Sequence, residues 1–185
     1  NPNILANGGA DIADPRYVRV RMQHSFIAMP KNNFVPRKDD PRIGYFMQEV
    51  NDQTSISATP YKDMINRWHL EKKDPNAVIS EAKEPIIYYL DRGAPEPVKS
   101  ALLEGGSWWN EAFEAAGFID AFQIKILPDD ADPLDVRYNV IQWVHRSTRG
   151  GSYGASVVGP RSGEILKGHV SLGSLRIRQD FMIDQ

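Results

Sequence analysis

The chain has 185 residues, 41% hydrophobic and 25% charged, with a formal net charge of -2, a pI near 6.1 and no cysteine. This describes a globular chain, expected to be one domain with at most an appended segment and to bury roughly 70% of its unfolded surface. It excludes a basic field that would attract nucleic acid or an anionic membrane, and it excludes disulfides, thiolate zinc sites and cysteine nucleophiles.

The start, Asn1-Pro2-Asn3, has neither initiator methionine nor signal peptide and is expected to lie inside a longer or processed product. Residues 1–15 read as a loose lead-in. Val18, Val20, Met22, His24 and Phe26 then alternate with polar residues, which predicts a half-buried strand with His24 on its apolar side, ended by Pro30. Residues 31–44 form a polar loop with Pro36 and Pro41 around Arg37-Lys38-Asp39-Asp40. Tyr45–Val50 reads as a short strand, and Tyr61–Glu71 alternates again. Lys72–Lys83 reads as a linker with an Asp74-Pro75 turn.

From residue 85 the pattern is more regular. Pro85–Leu90 is a continuous apolar run, as in a strand covered on both faces. Val98, Leu102, Gly105, Trp109, Ala112 and Ala116 recur at helical spacing, which predicts one long amphipathic helix. Pro95 and Pro97 fall at its start and Gly117 at its stop. Gly105-Gly106 inside it costs roughly 1 kcal/mol per glycine, so close packing against a neighbour is expected there. Phe122–Leu127 alternates as a strand. Asp129, Asp130 and Asp132 make an acidic turn. Val136–His145 is apolar on both faces and is expected inside the sheet. Residues 146–154 form a Gly/Ser-rich loop. Ala155–Val158 is a short strand, Gly159–Gly163 a hairpin turn, Ile165–Leu172 its partner, and a helix opens from Arg176. No apolar run approaches the ~20 residues of a membrane span. The fold class is α/β (α+β): a mixed twisted sheet with one long helix, and a first strand–helix–strand crossover expected to be right-handed.

Chemistry-bearing residues are sparse. The four histidines, His24, His69, His145 and His169, are not spaced as a helical zinc pair, and HExxH is absent. His24 reads as a core histidine, while His69 and His145 are expected to face solvent or a neighbouring loop. His169 alternates with Leu166, Val170 and Leu172; if those pack under the helix, it points to the opposite face. The acidic turn lacks EF-hand spacing. No serine sits in a G-x-S-x-G elbow, and Gly150–Gly154 leads into a strand rather than the helix of a phosphate cradle. Trp109 and Trp143 read as core, and Trp108 as a docking residue.

Several stretches resemble a known family: Phe34-Val35-Pro36-Arg37-Lys38-Asp39-Asp40-Pro41-Arg42-Ile43-Gly44-Tyr45-Phe46, Ile65–Pro75 around Asn66-Arg67-Trp68-His69, Trp109–Phe118, Asp135–Asn139, Pro160–Ile165 and Gly168-His169-Val170. They are similar to large bacterial exported proteins described as zinc-dependent metallopeptidases with flanking domains of unknown function. The resemblance implies a metzincin-like catalytic domain whose upper part begins near residue 76. Residues 1–75 would then be the end of a preceding β-rich domain and its connection, and 76–185 a truncated N-terminal subdomain. It implies zinc in the intact protein but no catalytic residue and no metal ligand within these residues, because the HExxH helix would follow them. The edge strand Tyr153, Gly154, Ala155, Ser156 and Val157 would pair with a peptide substrate through its backbone, the small residues admitting the substrate chain. The implied partners are that peptide and the missing C-terminal catalytic half. The implied location is periplasmic, outer-membrane-associated or secreted. The alternatives are a non-catalytic peptide- or glycan-binding module and a degenerate member that keeps only the scaffold.

Overall fold

The structure, a computed structural model, describes residue 19 and residues 21–145 and 151–184. The elements in chain order are β1 (Met47–Gln48), β2 (Met64–Ile65), β3 (Ser80–Glu81), β4 (Ile86–Leu90), α1 (Val98–Ser107), α2 (Trp109–Ala115), β5 (Phe118–Ile119), β6 (Phe122–Ile126), β7 (Asn139–Val144), β8 (Tyr153–Val158), β9 (Ile165–Gly173) and α3 (Leu175–Ile183). The main sheet has five strands in the order β6-β4-β7-β9-β8. β6, β4, β7 and β9 are parallel neighbours, and β8 runs antiparallel to β9. The fold is α+β, with a mixed sheet and the α1–α2 helical stretch packed on one face. No helix among the described residues is long and apolar enough to cross a membrane.

β4, the continuous apolar run, lies between β6 and β7, with Ile86 and Leu90 buried and Ile87, Tyr88 and Tyr89 half-buried, so its burial is less complete than the cover on both faces that the run predicts. Its Leu90 is 0% exposed and forms the core with Ala94 and Ile141, against which Leu102, Leu103, Ile124, Trp143, Val170 and Leu172 pack. Burying a leucine fully contributes about 2–3 kcal/mol.

The expected long helix is present as one helical stretch, residues 98–115, divided at Trp108 into α1 and α2. It packs on β6 and β4. A Cβ added to Gly106 would fall 1.8 Å from Ile124 Cδ1, so helix and strand approach closely there. Gly105 differs from the expectation, with nothing within 4 Å of its Cβ position. Phe113 stacks on Phe122 with ring centroids 5.9 Å apart. Gly117 ends the helix at φ 88°, a left-handed conformation that favours glycine. The helical spacing predicts Trp109 in the core, but it is 62% exposed, next to Trp108 at 64%, because among the described residues no second layer covers that side of the helix.

Other expectations change in tertiary context. Arg21–Pro30 forms no strand, and His24 and Phe26 are exposed, Phe26 at 92%. The alternation finds no partner ladder there, and Val18 and Val20 lie outside the described residues, as do residues 1–15 and 146–150. Lys72–Lys83 keeps its turn, with the Asp74 carboxylate accepting from Asn76 N at 3.0 Å. It also supplies β3, which pairs in parallel with β5, and it buries Ala82. β7 begins at Asn139 rather than Val136, because the Tyr138 amide donates back to Asp135 O at 3.2 Å in a turn.

The segment before β3 joins the sheet at the turn end of the β8–β9 hairpin. Arg67 N donates to Gly163 O at 3.0 Å and Ile165 N to Arg67 O at 2.9 Å. Glu164 is only 6% exposed, accepts from Asn32 Nδ2 at 2.7 Å and lies 3.6 Å from His69 Nδ1. Phe34 packs edge-on against His69 and under the Arg67 guanidinium.

Candidate functional site: an exposed antiparallel sheet edge

β8 opens on Tyr153, continues through the small residues Gly154, Ala155 and Ser156 and ends with Val157 and Val158, so it is narrow in its middle and branched where it enters the hairpin turn. Every residue but Val158 is exposed. Cα partners on β9 are Tyr153↔Ser171, Gly154↔Val170, Ala155↔His169, Ser156↔Gly168 and Val157↔Lys167, with an irregularity between Val157 and Val158.

The hydrogen bonds of β9 decide which groups of β8 are free. Gly168 N donates to Asn139 Oδ1 at 2.8 Å and Ser174 N to Val144 O at 2.9 Å, so even-numbered positions of this stretch turn their backbone towards β7. Alternation then directs Lys167, His169 and Ser171 towards β8, where they pair with Val157, Ala155 and Tyr153. Gly154 and Ser156 are left directing N–H and C=O away from the sheet. Among the described residues no strand pairs with that side of β8. The edge thus offers the donor and acceptor of Gly154 and of Ser156 to an added chain. All five residues expected at the edge lie on β8; the outward groups come from Gly154 and Ser156, and the hairpin geometry turns the other three inward.

The two faces flanking the edge differ. Gly154 and Ser156 share the helix side with Val170 and Gly168. Val170 and Leu172 floor an apolar cavity of about 550 Å³ walled by Trp68, Tyr88, Leu102 and Trp109. The Tyr88 hydroxyl lies over Gly168, where an added Cβ would fall 1.9 Å from it, and burial pushes the phenol above its ordinary range. The opposite face carries Lys167, His169 and Ser171. Lys167 is 9% exposed and its ammonium donates to Asp135 O at 2.6 Å. Burial lowers the pKa of that ammonium, and burial followed by the Lys167 charge lowers that of His169, favouring the neutral imidazole. His169 does lie opposite the helix, as its alternation with Val170 and Leu172 implied. The signal for Lys167 was its two-residue spacing from His169, but its burial depends on the 135–138 turn.

The other singled-out residues lie elsewhere. His145 is exposed with Nδ1 3.0 Å from Ser174 Oγ, and His69 is half-buried against the 32–34 segment. Asp132 caps Leu134 N at 2.8 Å and Asp129 is solvated near Arg92. A zinc ion takes about four nitrogen, sulfur or carboxylate ligands. Among the described residues no group of three or more such side chains converges to hold one. The described residues do not fit a zinc centre.

Residues 6–73 match a family model described as Domain of unknown function (DUF5117). No curated protein and no solved structure matches the chain. The matched segment contains Arg67, His69 and the 32–34 segment, which meet the hairpin at Glu164. β8 itself lies outside the match.

Proposed function

We propose that this chain is the substrate-orienting scaffold of a zinc-dependent metallopeptidase, and that β8 pairs with an extended peptide. The observation that carries the reading is β8 itself: an exposed antiparallel edge whose outward backbone groups come from a glycine and a serine. Main-chain pairing there fixes the direction and depth of a peptide without demanding a particular sequence.

Two further features support it. Five strands about 4.8 Å apart span about 19 Å, and one helix covers about 10 Å of that width. The single helical stretch packs on β6 and β4, which leaves an apolar strip over β7 and β9 for a second helix from the remainder of the protein. α3 also turns Ile177, Phe181, Met182 and Ile183 to solvent, a surface suited to covering by the same remainder. The motifs around Phe34–Phe46, Ile65–Pro75 and Trp109–Phe118 resemble exported bacterial metallopeptidases, and by that resemblance residues 1–75 end a preceding domain. The zinc ligands and general base belong to sequence outside this chain. The working compartment is the periplasm, the outer membrane or the exterior.

The second reading is a non-catalytic peptide- or glycan-binding module, favoured by the exposure of Trp108 and Trp109, aromatic surface of the kind on which a sugar ring stacks. Casein digestion and metal analysis, run on this chain and on the gene product that contains it, separate the two. We expect no cleavage and no stoichiometric zinc with the chain alone, and chelator-sensitive cleavage with the gene product. Absence of an HExxH segment from that gene product, or robust cleavage by residues 1–185 alone, would overturn the first reading.

A further inference from the structure

Gly154 occupies a position where neither backbone nor crowding demands glycine. Its φ is not left-handed and nothing lies within 4 Å of its Cβ position. It faces the helix side opposite Val170, which floors the apolar cavity together with Leu172. A bare glycine on an edge strand leaves an unshielded patch of backbone beside an apolar floor. A large side chain on the neighbouring strand, with Cβ atoms about 4.5–5.5 Å away, covers such a patch. The other outward residue, Ser156, is already filled from within, because it faces Gly168 and the Tyr88 hydroxyl lies on Gly168.

We infer that a large apolar side chain of the bound peptide, aromatic or long aliphatic, seats over Gly154 against Val170, and that Gly154 sets the side-chain preference of the β8 edge. This rests on β8 being a peptide-pairing edge. The seat discriminates by shape and burial: a small side chain leaves Val170 wet, and an acidic one is desolvated with no cation facing it on that side among the cavity-lining residues.

The test uses the 185-residue chain and strand-forming pentapeptides that differ only in one central residue: Phe, Leu, Ala or Asp. Affinities are read from amide shifts of Gly154 and Ser156 in an NMR titration. The Phe peptide is expected to bind about fivefold tighter than the Ala peptide. Gly154→Val should bring that ratio close to one, and Ser156→Val should preserve it. Gly154→Ala, whose Cβ enters open space, is the second variant, with an intermediate ratio; circular dichroism and melting check that each variant folds. Equal affinities with shifts at Gly154 and Ser156 would overturn the inference and leave the pairing edge standing. Shifts that avoid β8 altogether, or concentration-dependent shifts at Val170 without peptide (a second copy on this face), would overturn both.

Discussion

The chain from Ile86 to Gly173 and the chain from Arg21 to Lys73 hold together by different means. The first is a ladder: parallel strands share a buried apolar layer, and the inner strands β4, β7 and β9 are set by neighbours on both sides. The second has regular pairing only at β1 and β2 and at isolated bridges, and it is anchored by particular groups such as Asn32, Phe34 and Arg67 at the turn end of the hairpin. The comparison teaches that periodicity becomes structure only where a partner completes it. Val18–Phe26 alternates as cleanly as Phe122–Ile126, yet its described part from Arg21 pairs with no strand, whereas Phe122–Ile126 has β4 beside it.

The contrast can be broken or sharpened by substitution. The largest effect is expected in the ladder: Leu90→Ala should cost about 3 kcal/mol in chemical denaturation, as for other fully buried leucines. Phe26→Ala, an apolar residue of similar appearance in the sequence, should change stability by less than about 0.5 kcal/mol. Equal losses would erase the distinction between the regions. Next, Gly106→Val should cost about 2 kcal/mol by forcing Ile124 aside, whereas Gly105→Ala should gain up to about 1 kcal/mol of helix propensity, both read as shifts in melting temperature. Asn32→Ala should cost about 1.5 kcal/mol, because it removes the direct donor to a buried carboxylate. Hydrogen exchange should then quicken around residues 33–34 and 67–69 while β4 stays protected.

The smallest effect is electrostatic and appears in both regions. Asp52 is held at about 2, first by the Lys62 ammonium and then by Thr54; Asp135 is held at about 2 by Arg137. Both lie below the ordinary aspartate value of 3.8, so their contributions are complete above that pH and are lost as pH falls through about 2. Carboxylate carbon shifts between pH 5 and 1 should show both midpoints near 2, and Lys62→Met should return Asp52 towards its ordinary value without moving Asp135. A midpoint near 4 for either would show that its ion pair does not form.

Much of the ladder was legible because its signals are local. The apolar run of β4, the alternation of β6, the hairpin glycines and the Gly117 stop each depend on a few adjacent residues. The helical stretch was legible too, but its exposed Trp109 was not, because the pattern cannot say whether a second layer covers a helix. In the candidate site, the hairpin pattern placed an antiparallel strand at or near an edge, and the approach of a chain over the small residues Gly154 to Ser156 was implied only by the family resemblance. Which backbone groups face outward was fixed by β9 bonding to β7, and no residue of β8 encodes that.

The sequence by itself determined the α+β class, the span of the helix, the strands β4, β6, β7 and β9 and the antiparallel hairpin with β8, since short-range periodicity and turn chemistry act within about ten residues. Only the tertiary structure decided that Arg21–Pro30 stays unpaired, that Lys72–Lys83 supplies a strand, and that Glu164 and Lys167 are buried. It also decided that Gly154 and Ser156 offer the free edge. Each of these depends on a partner far away in the chain, and pairing and desolvation are properties of the partner as much as of the residue.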